Sequence, residues 1–314
     1  MNHGAFTFET VVDWVELEIQ LAERSNFMAV QEALKKALRL PDNAKHPYVT
    51  ALDETSSRAA SIFRFRVHDP MRMGKLNKVL SELRERFNFG AIKVTAIEVA
   101  FDTYGQGAGV RQLAEIAADR YRFLTAPPGN KWYFYRDSGE GRPYIEALNY
   151  RELVKCFAEQ WQLTDRDDKN ADMRYHAYVK TRDDREPLPP PQYRARLEVT
   201  LQGAHWPCTT IEELEQFNFT KLAKHFNFRR LADGLHPGLR LALADWSAAQ
   251  HGRSGSYRRA VRNRPGKYSG TRVFKRSTVA DDELNEAVYQ CLRKLTRDWR
   301  SQRAGADFPT HLKP

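Results

Sequence analysis

Hydrophobic and polar positions alternate in two rhythms along this chain, and each change of rhythm marks a new element. Side chains repeat every second residue on a strand and every 3.6 residues on a helix. Residues 11–21 carry the two-residue pattern, are rich in β-branched positions and predict a strand. Residues 26–40 follow the helical pattern, with Phe27, Val30, Leu34, Ala37 and Leu38 along one side, and Pro41 ends the run. Short strands are predicted over 47–52 and 61–67. A helix over 74–87 carries Leu76, Val79, Leu80, Leu83 and Phe87 on its apolar stripe, and a strong strand follows over 91–102. The order β-α-β-β-α-β predicts a ferredoxin-like or RNA-recognition-like unit over 11–102.

A looser run of the same kind follows over 107–203. It reads as a helix at 110–123, strands at 130–136 and 143–148, a helix at 149–161, and strands at 173–180 and 192–201. The fold class is therefore α+β: two recognition-motif-like units, with no evident identity between the halves, forming a mainly antiparallel sheet. After Gly203 the pattern turns helical, at 210–226 and 235–249. A last helix over 281–303 has an acidic start and a basic end that suit its dipole. The boundary falls near Gly203, separating region 1–203 from a basic helical region 204–314.

Charge sharpens this picture. The chain of 314 residues has a formal net charge of +10 and a pI near 9.5, which favours nucleic acid or an anionic membrane surface as partner. Residues 251–280 hold nine Lys and Arg and no acid. Cys156, Cys208 and Cys291 are far apart, and no CxxC occurs. That speaks against a disulfide framework or a zinc site and fits a reducing cytoplasm. No signal peptide pattern and no apolar run of about 20 residues is present, so a membrane span is not expected. The absence of a phosphate-cradling Gly-rich Lys loop excludes a P-loop motor.

The candidate chemistry lies on three strands. Glu98 and Asp102 share one face of theirs, Arg194, Arg196 and Glu198 share a face of another, and His176, Tyr178 and Lys180 share a face of the strand between them in sequence. Were these strands neighbours, three carboxylates, a tyrosine and a lysine would converge. Carboxylates suit Mg²⁺ or Mn²⁺, and Glu98, Asp102 and Glu198 are the candidate ligands. Tyr178 is the candidate nucleophile, helped by the metal, by Lys180 or by His176, because an ordinary phenol has a pKa of about 10. Attack on a phosphodiester would leave a 5′-phosphotyrosine and free a 3′-hydroxyl. Arg194 and Arg196 either pair with the acids or contact phosphate. The plainer alternative is a set of solvated or Arg-paired acids and a tyrosine that merely belongs to a strand. Tyr175, on the opposite face, is expected in the core. Tyr133 and Tyr135 either pack in the core or stack on bases.

These segments, in this order, resemble the replication initiation factor family of rolling-circle plasmid and filamentous phage initiators and related relaxases. Its Arg-Leu-Asp-Leu-Ala-x-Asp strand is matched by Ala96-Ile97-Glu98-Val99-Ala100-Phe101-Asp102, with Ala96 in place of the Arg and Glu98 in place of the first Asp. Its aromatic strand is matched by Trp132-Tyr133-Phe134-Tyr135-Arg136. Its Arg-Ile-Tyr-Asp-Lys segment is matched at Tyr178 and Lys180, and its Arg-x-Glu strand by Arg196-Leu197-Glu198. The opening Asp13-Trp14-Val15 also fits. The resemblance covers about residues 11–203.

It implies a metal-dependent nickase in 1–203 that cuts and rejoins single-stranded origin DNA, with a bacterial cytoplasmic setting and a host helicase as partner. The basic region would then hold duplex origin DNA through Arg258, Arg259, Arg262, Arg264, Lys267, Arg272, Lys275 and Arg276. A non-catalytic nucleic-acid-binding regulator and a conjugative-element relaxase are the competing readings. Carboxylates facing Tyr178 would favour the enzyme, and aromatics alone the regulator.

Overall fold

The computed structural model of the chain describes residues 3–41, 47–56, 58–105, 107–125, 133–135, 141–142, 150–164, 171–183, 186–235 and 278–301. The chain divides into two compact units. One comprises Val11–Val99, Thr200–Phe219 and Arg293–Pro314; the other comprises Met1–Thr10, Ala100–Val199 and Thr220–Leu292.

In the first unit, β1 (Phe6–Asn26) alternates as its sequence requires and leads into α1 (Phe27–Ala37). Asn26 caps that helix, its side chain accepting from the Met28 N–H at 2.8 Å. Then come β2 (Val49–Ala51), β3 (Ala59–His68), α2 (Met73–Arg84) and β4 (Phe89–Gly105). β3 pairs antiparallel with both β1 and β2. The β1–β3 register sets Val15, Leu17 and Ile19 opposite Val67, Phe65 and Phe63, all fully buried. A one-residue slip would turn this whole row to solvent, so the register is strongly specified. The alternate positions pair Glu16 with Arg66 at 2.9 Å and Glu18 with Arg64 at 2.7 Å.

The same unit contains the short helix α5 (Ile211–Glu215), opened by a capping box between Thr210 and Glu213. An aromatic ladder of Trp206, Phe217, Phe219 and Trp299 has centroid spacings of 5.0, 5.2 and 5.6 Å.

In the second unit, α3 (Val110–Phe123) and α4 (Tyr150–Ala158) pack on each other and on β8 (Met173–Lys180). The short strands β5 (Tyr133–Tyr135), β6 (Gly141–Arg142) and β7 (Gln162–Thr164) precede β8. A two-strand ribbon of β9 (Arg182–Asp183) and β10 (Glu186–Pro187) follows it, then β11 (Arg194–Gln202). Phe8, Phe226 and Phe228 close on Phe101 with centroids at 5.7, 6.2 and 5.9 Å. Nearby, β12 (Arg229–Leu231) pairs with β13 (Thr278–Ala280), and α6 (Asp282–Arg300) begins directly after.

The strand order of the nine-stranded sheet is β2-β3-β1-β4-β11-β8-β7-β5-β6. The pairs β1–β3, β2–β3, β5–β6, β5–β7 and β7–β8 are antiparallel. The protein is thus a mixed α/β fold on a mainly antiparallel sheet.

Two readings change, and others fall where nothing is described. The helix predicted at 210–226 is broken into α5 and a 3-10 segment, Phe219–His225. The Phe219 N–H bonds to the Thr296 hydroxyl at 2.9 Å, and Phe217 and Phe219 are both buried two residues apart, which a regular helix face does not allow. Strand β7 was not anticipated. The predicted strand at 143–148, nearly all of the helix at 235–249 and the basic run from Arg258 to Arg276 lie outside the described residues. No helix among the described residues is long and apolar enough to cross a membrane.

Candidate metal and tyrosine site

The topology makes β11 the neighbour of both β4 and β8, so the three chemistry-bearing strands are adjacent. β8 alternates strictly. Met173, Tyr175, Ala177 and Val179 are buried, while His176, Tyr178 and Lys180 are half-buried on the other face. Tyr175 is in the core as expected, its hydroxyl donating to the His225 carbonyl at 3.3 Å.

The Tyr178 hydroxyl donates to Glu198 Oε1 at 2.7 Å. On the other side of the same carboxylate, His176 Nδ1 lies 3.5 Å from Glu198 Oε2. Glu98 accepts from the Thr200 hydroxyl. One ligand atom from each of Glu98, His176 and Glu198 falls within 4.8 Å of the others, a group able to hold a metal ion. Glu98 is 5% and Glu198 4% exposed, so the carboxylates sit where an attached cation would be strongly felt.

A buried ion-pair chain adjoins this group. Arg196 Nε and Nη2 each donate to an Asp102 oxygen at 2.7 Å, a bidentate pair at 3% and 1% exposure. Arg194 Nε stands 3.2 Å from Asp102 Oδ2, and Arg196 Nη1 reaches Glu198 Oε1 at 3.4 Å. Burial pushes the Glu198 carboxyl up, but His176, Arg196 and the Tyr178 hydroxyl outweigh it and hold the group below the usual carboxylate range.

Lys180 is engaged by Asp183 at 2.7 Å. Burial raises the Asp183 carboxyl, and the Lys180 hydrogen bond and charge more than reverse that rise. Tyr104 is a second tyrosine close by, donating to Glu9 at 3.3 Å. Burial and the Asp102 charge push its hydroxyl well above the ordinary phenol range, which makes it a poor nucleophile.

The structure therefore brings together Tyr178, His176, Glu98 and Glu198. Asp102, the third acid expected as a ligand, is engaged by Arg196 and Arg194, and the three-residue group that the structure gathers is Glu98, His176 and Glu198. Asp102 meets the two guanidinium groups, whereas Glu98 accepts from the Thr200 hydroxyl. Of the two alternatives for Arg194 and Arg196, pairing with the acids or contacting phosphate, both side chains turn toward carboxylates, and Arg196 is enclosed. Thr200 was missed, although it lies two residues beyond Glu198 and so on its face. Asp183 gave no signal, since a two-residue ribbon after a strand has no distinctive pattern.

No family model and no curated protein matches the chain. Among solved structures it is similar to a rolling circle replication initiator protein from Geobacillus stearothermophilus, at 13% identity over 74% of this chain and 91% of that one, with a TM-score of 0.32. An aspartate kinase from Synechocystis matches at 7% identity over 96% of this chain and 57% of that one, with a TM-score of 0.20. At these scores neither likeness defines the fold or the chemistry.

Proposed function

We propose that this chain is a rolling-circle initiator that nicks and rejoins single-stranded origin DNA through Tyr178. The observation that carries the reading is the 2.7 Å hydrogen bond from the Tyr178 hydroxyl to Glu198, a carboxylate that also belongs to the three-residue metal group. The motif resemblance across 11–203 supports it, and the order β2-β3-β1-β4 over the elements β-α-β-β-α-β is compatible with the ferredoxin-like unit expected there.

Two carboxylates and one imidazole suit a divalent cation, and Glu98, His176 and Glu198 would hold it. Such an ion supplies charge that stabilises a phenolate and the crowded phosphate oxygens. The chain's own residues do the rest. Glu198 Oε1 orients the phenol and gives its proton a path out. A carboxylate held below its ordinary range is a weak base, however. Moving a proton from a phenol at its reference pKa of about 10 to a carboxyl held down to about 2 crosses about eight pKa units, or about 11 kcal/mol. Orientation is therefore the larger part of the Glu198 role. The Tyr178 oxygen attacks phosphorus as the bond to the 3′ oxygen breaks, leaving a 5′-phosphotyrosine and a 3′-hydroxyl. Rejoining reverses the step. Lys180, on the same face of β8, is assigned to the scissile phosphate, with Asp183 holding it extended.

In this reading 1–203 forms the catalytic region and 204–314 the DNA-holding region, its basic run from Arg258 to Arg276 contacting duplex phosphates, and a host helicase follows the nick. The test mixes the protein with Mn²⁺ and a pool of random single-stranded oligonucleotides. A protein–DNA band that survives denaturation is expected from the wild type and not from Tyr178→Phe. An undiminished band from the variant removes Tyr178 from the role.

A further inference from the structure

Glu198 uses its two oxygens differently. Oε1 takes the Tyr178 hydroxyl at 2.7 Å and Arg196 Nη1 at 3.4 Å, while Oε2 lies 3.5 Å from His176 Nδ1. A carboxylate turning freely about its last bond offers either oxygen to either neighbour. Arg196 removes that freedom. Its planar guanidinium grips both Asp102 oxygens at 2.7 Å along one edge, which leaves Nη1 aimed at Glu198 two residues along β11.

Building on the reading above, we propose that Arg196, anchored by Asp102, is a positioning residue that fixes the Glu198 carboxylate with one oxygen on the Tyr178 phenol and the other toward the cation shared with Glu98 and His176. Asp102 then acts on the site through Arg196. It also offsets a positive charge that would otherwise repel the cation.

This offset decides the experiment. Removing Arg196 alone leaves Asp102 with Arg194 at 3.2 Å and adds a net negative charge beside the metal group, so lost orientation and gained attraction oppose each other. The double variant Asp102→Asn/Arg196→Gln removes one charge of each sign and isolates orientation. Free Mn²⁺ is measured by electron paramagnetic resonance during titration of wild type and variant. The double variant is expected to keep the wild-type circular dichroism spectrum and to bind Mn²⁺ about 10- to 100-fold more weakly, the usual cost of losing an outer partner of a ligand.

A folded double variant with wild-type affinity overturns the proposal. Should the double variant not fold, Arg196→Lys serves instead. It keeps the charge on Asp102 but lacks the fork that reaches Glu198, so weaker Mn²⁺ binding supports the proposal and unchanged binding overturns it. Metal affinity is read independently of nicking. A wild type that forms no DNA adduct, yet loses Mn²⁺ affinity in the double variant, sinks the nickase reading and keeps the positioning role. A wild type that binds no Mn²⁺ sinks the positioning role.

Discussion

Asp102→Ala is the perturbation whose cost the structure specifies most closely. Asp102 is 1% exposed, accepts two hydrogen bonds of 2.7 Å from Arg196 and has Arg194 at 3.2 Å. Truncation takes both 2.7 Å hydrogen bonds from the Arg196 guanidinium, itself 3% exposed, while its 3.4 Å contact to Glu198 stays. Unit charges about 4 Å apart interact by about 4 kcal/mol at an effective dielectric of 20. Removing one partner of a buried pair costs about 3–5 kcal/mol, because the other charge is left buried without compensation. For a unit of this size that corresponds to a fall in melting temperature of roughly 10 °C. Thermal melts followed by circular dichroism check it at low and high salt. The loss should persist in high salt, since ions do not enter the pair. Loss of the exposed Arg111–Glu115 contact, by contrast, should cost less than about 1 kcal/mol. A change below about 1 kcal/mol for Asp102→Ala, or one that salt abolishes, refutes the reasoning.

Other outcomes follow from the same geometry. His176→Ala should weaken Mn²⁺ binding at least 10-fold, since a direct ligand is worth no less than an outer partner, and calorimetric titration measures it. Trp299→Ala should cost about 3–5 kcal/mol in urea unfolding, because the ring is fully buried on Phe219 and its N–H donates to the Leu214 carbonyl at 3.1 Å. Burial raises the Asp281 carboxyl, but its hydrogen bond and ion pair with His3 prevail and depress it. Its contribution to stability is therefore complete above the ordinary aspartate pKa of about 3.9 and drains away as pH falls below it. Acid unfolding should be shallower in Asp281→Asn than in the wild type; an identical profile contradicts the assignment.

The sequence was most legible where periodicity was clean. The helix expected at 110–123 and the strand expected at 173–180 coincide with α3 and β8, because each has one uninterrupted apolar stripe. The face assignments also held. Tyr175 is inside, and Tyr178 shares the other side with His176 and Lys180. Strand period tells which side chains share a face, but not which strand lies alongside or at what register. That is why the sequence leaves Asp102 open between metal ligand and Arg partner. Its bond to Arg196 joins positions 94 residues apart, and nothing local encodes their alignment. The same limit hid His176 as the third member of the metal group and Thr200 as the partner of Glu98. The broken helix at 210–226 was missed for another reason. Its apolar positions fit a helical stripe, and only the tertiary bond from Thr296 diverts the backbone at Phe219.

The central claim is that the Tyr178 phenol, held by Glu198, becomes covalently joined to DNA. The most direct measurement is mass spectrometry of the adduct formed with Mn²⁺ and single-stranded oligonucleotides after digestion with trypsin and nuclease. Cleavage after Arg174 and Lys180 yields a peptide of residues 175–180, and fragmentation within it separates Tyr175 from Tyr178. The account predicts a phosphonucleotide on Tyr178; an adduct on any other residue, or none from the wild type, contradicts it.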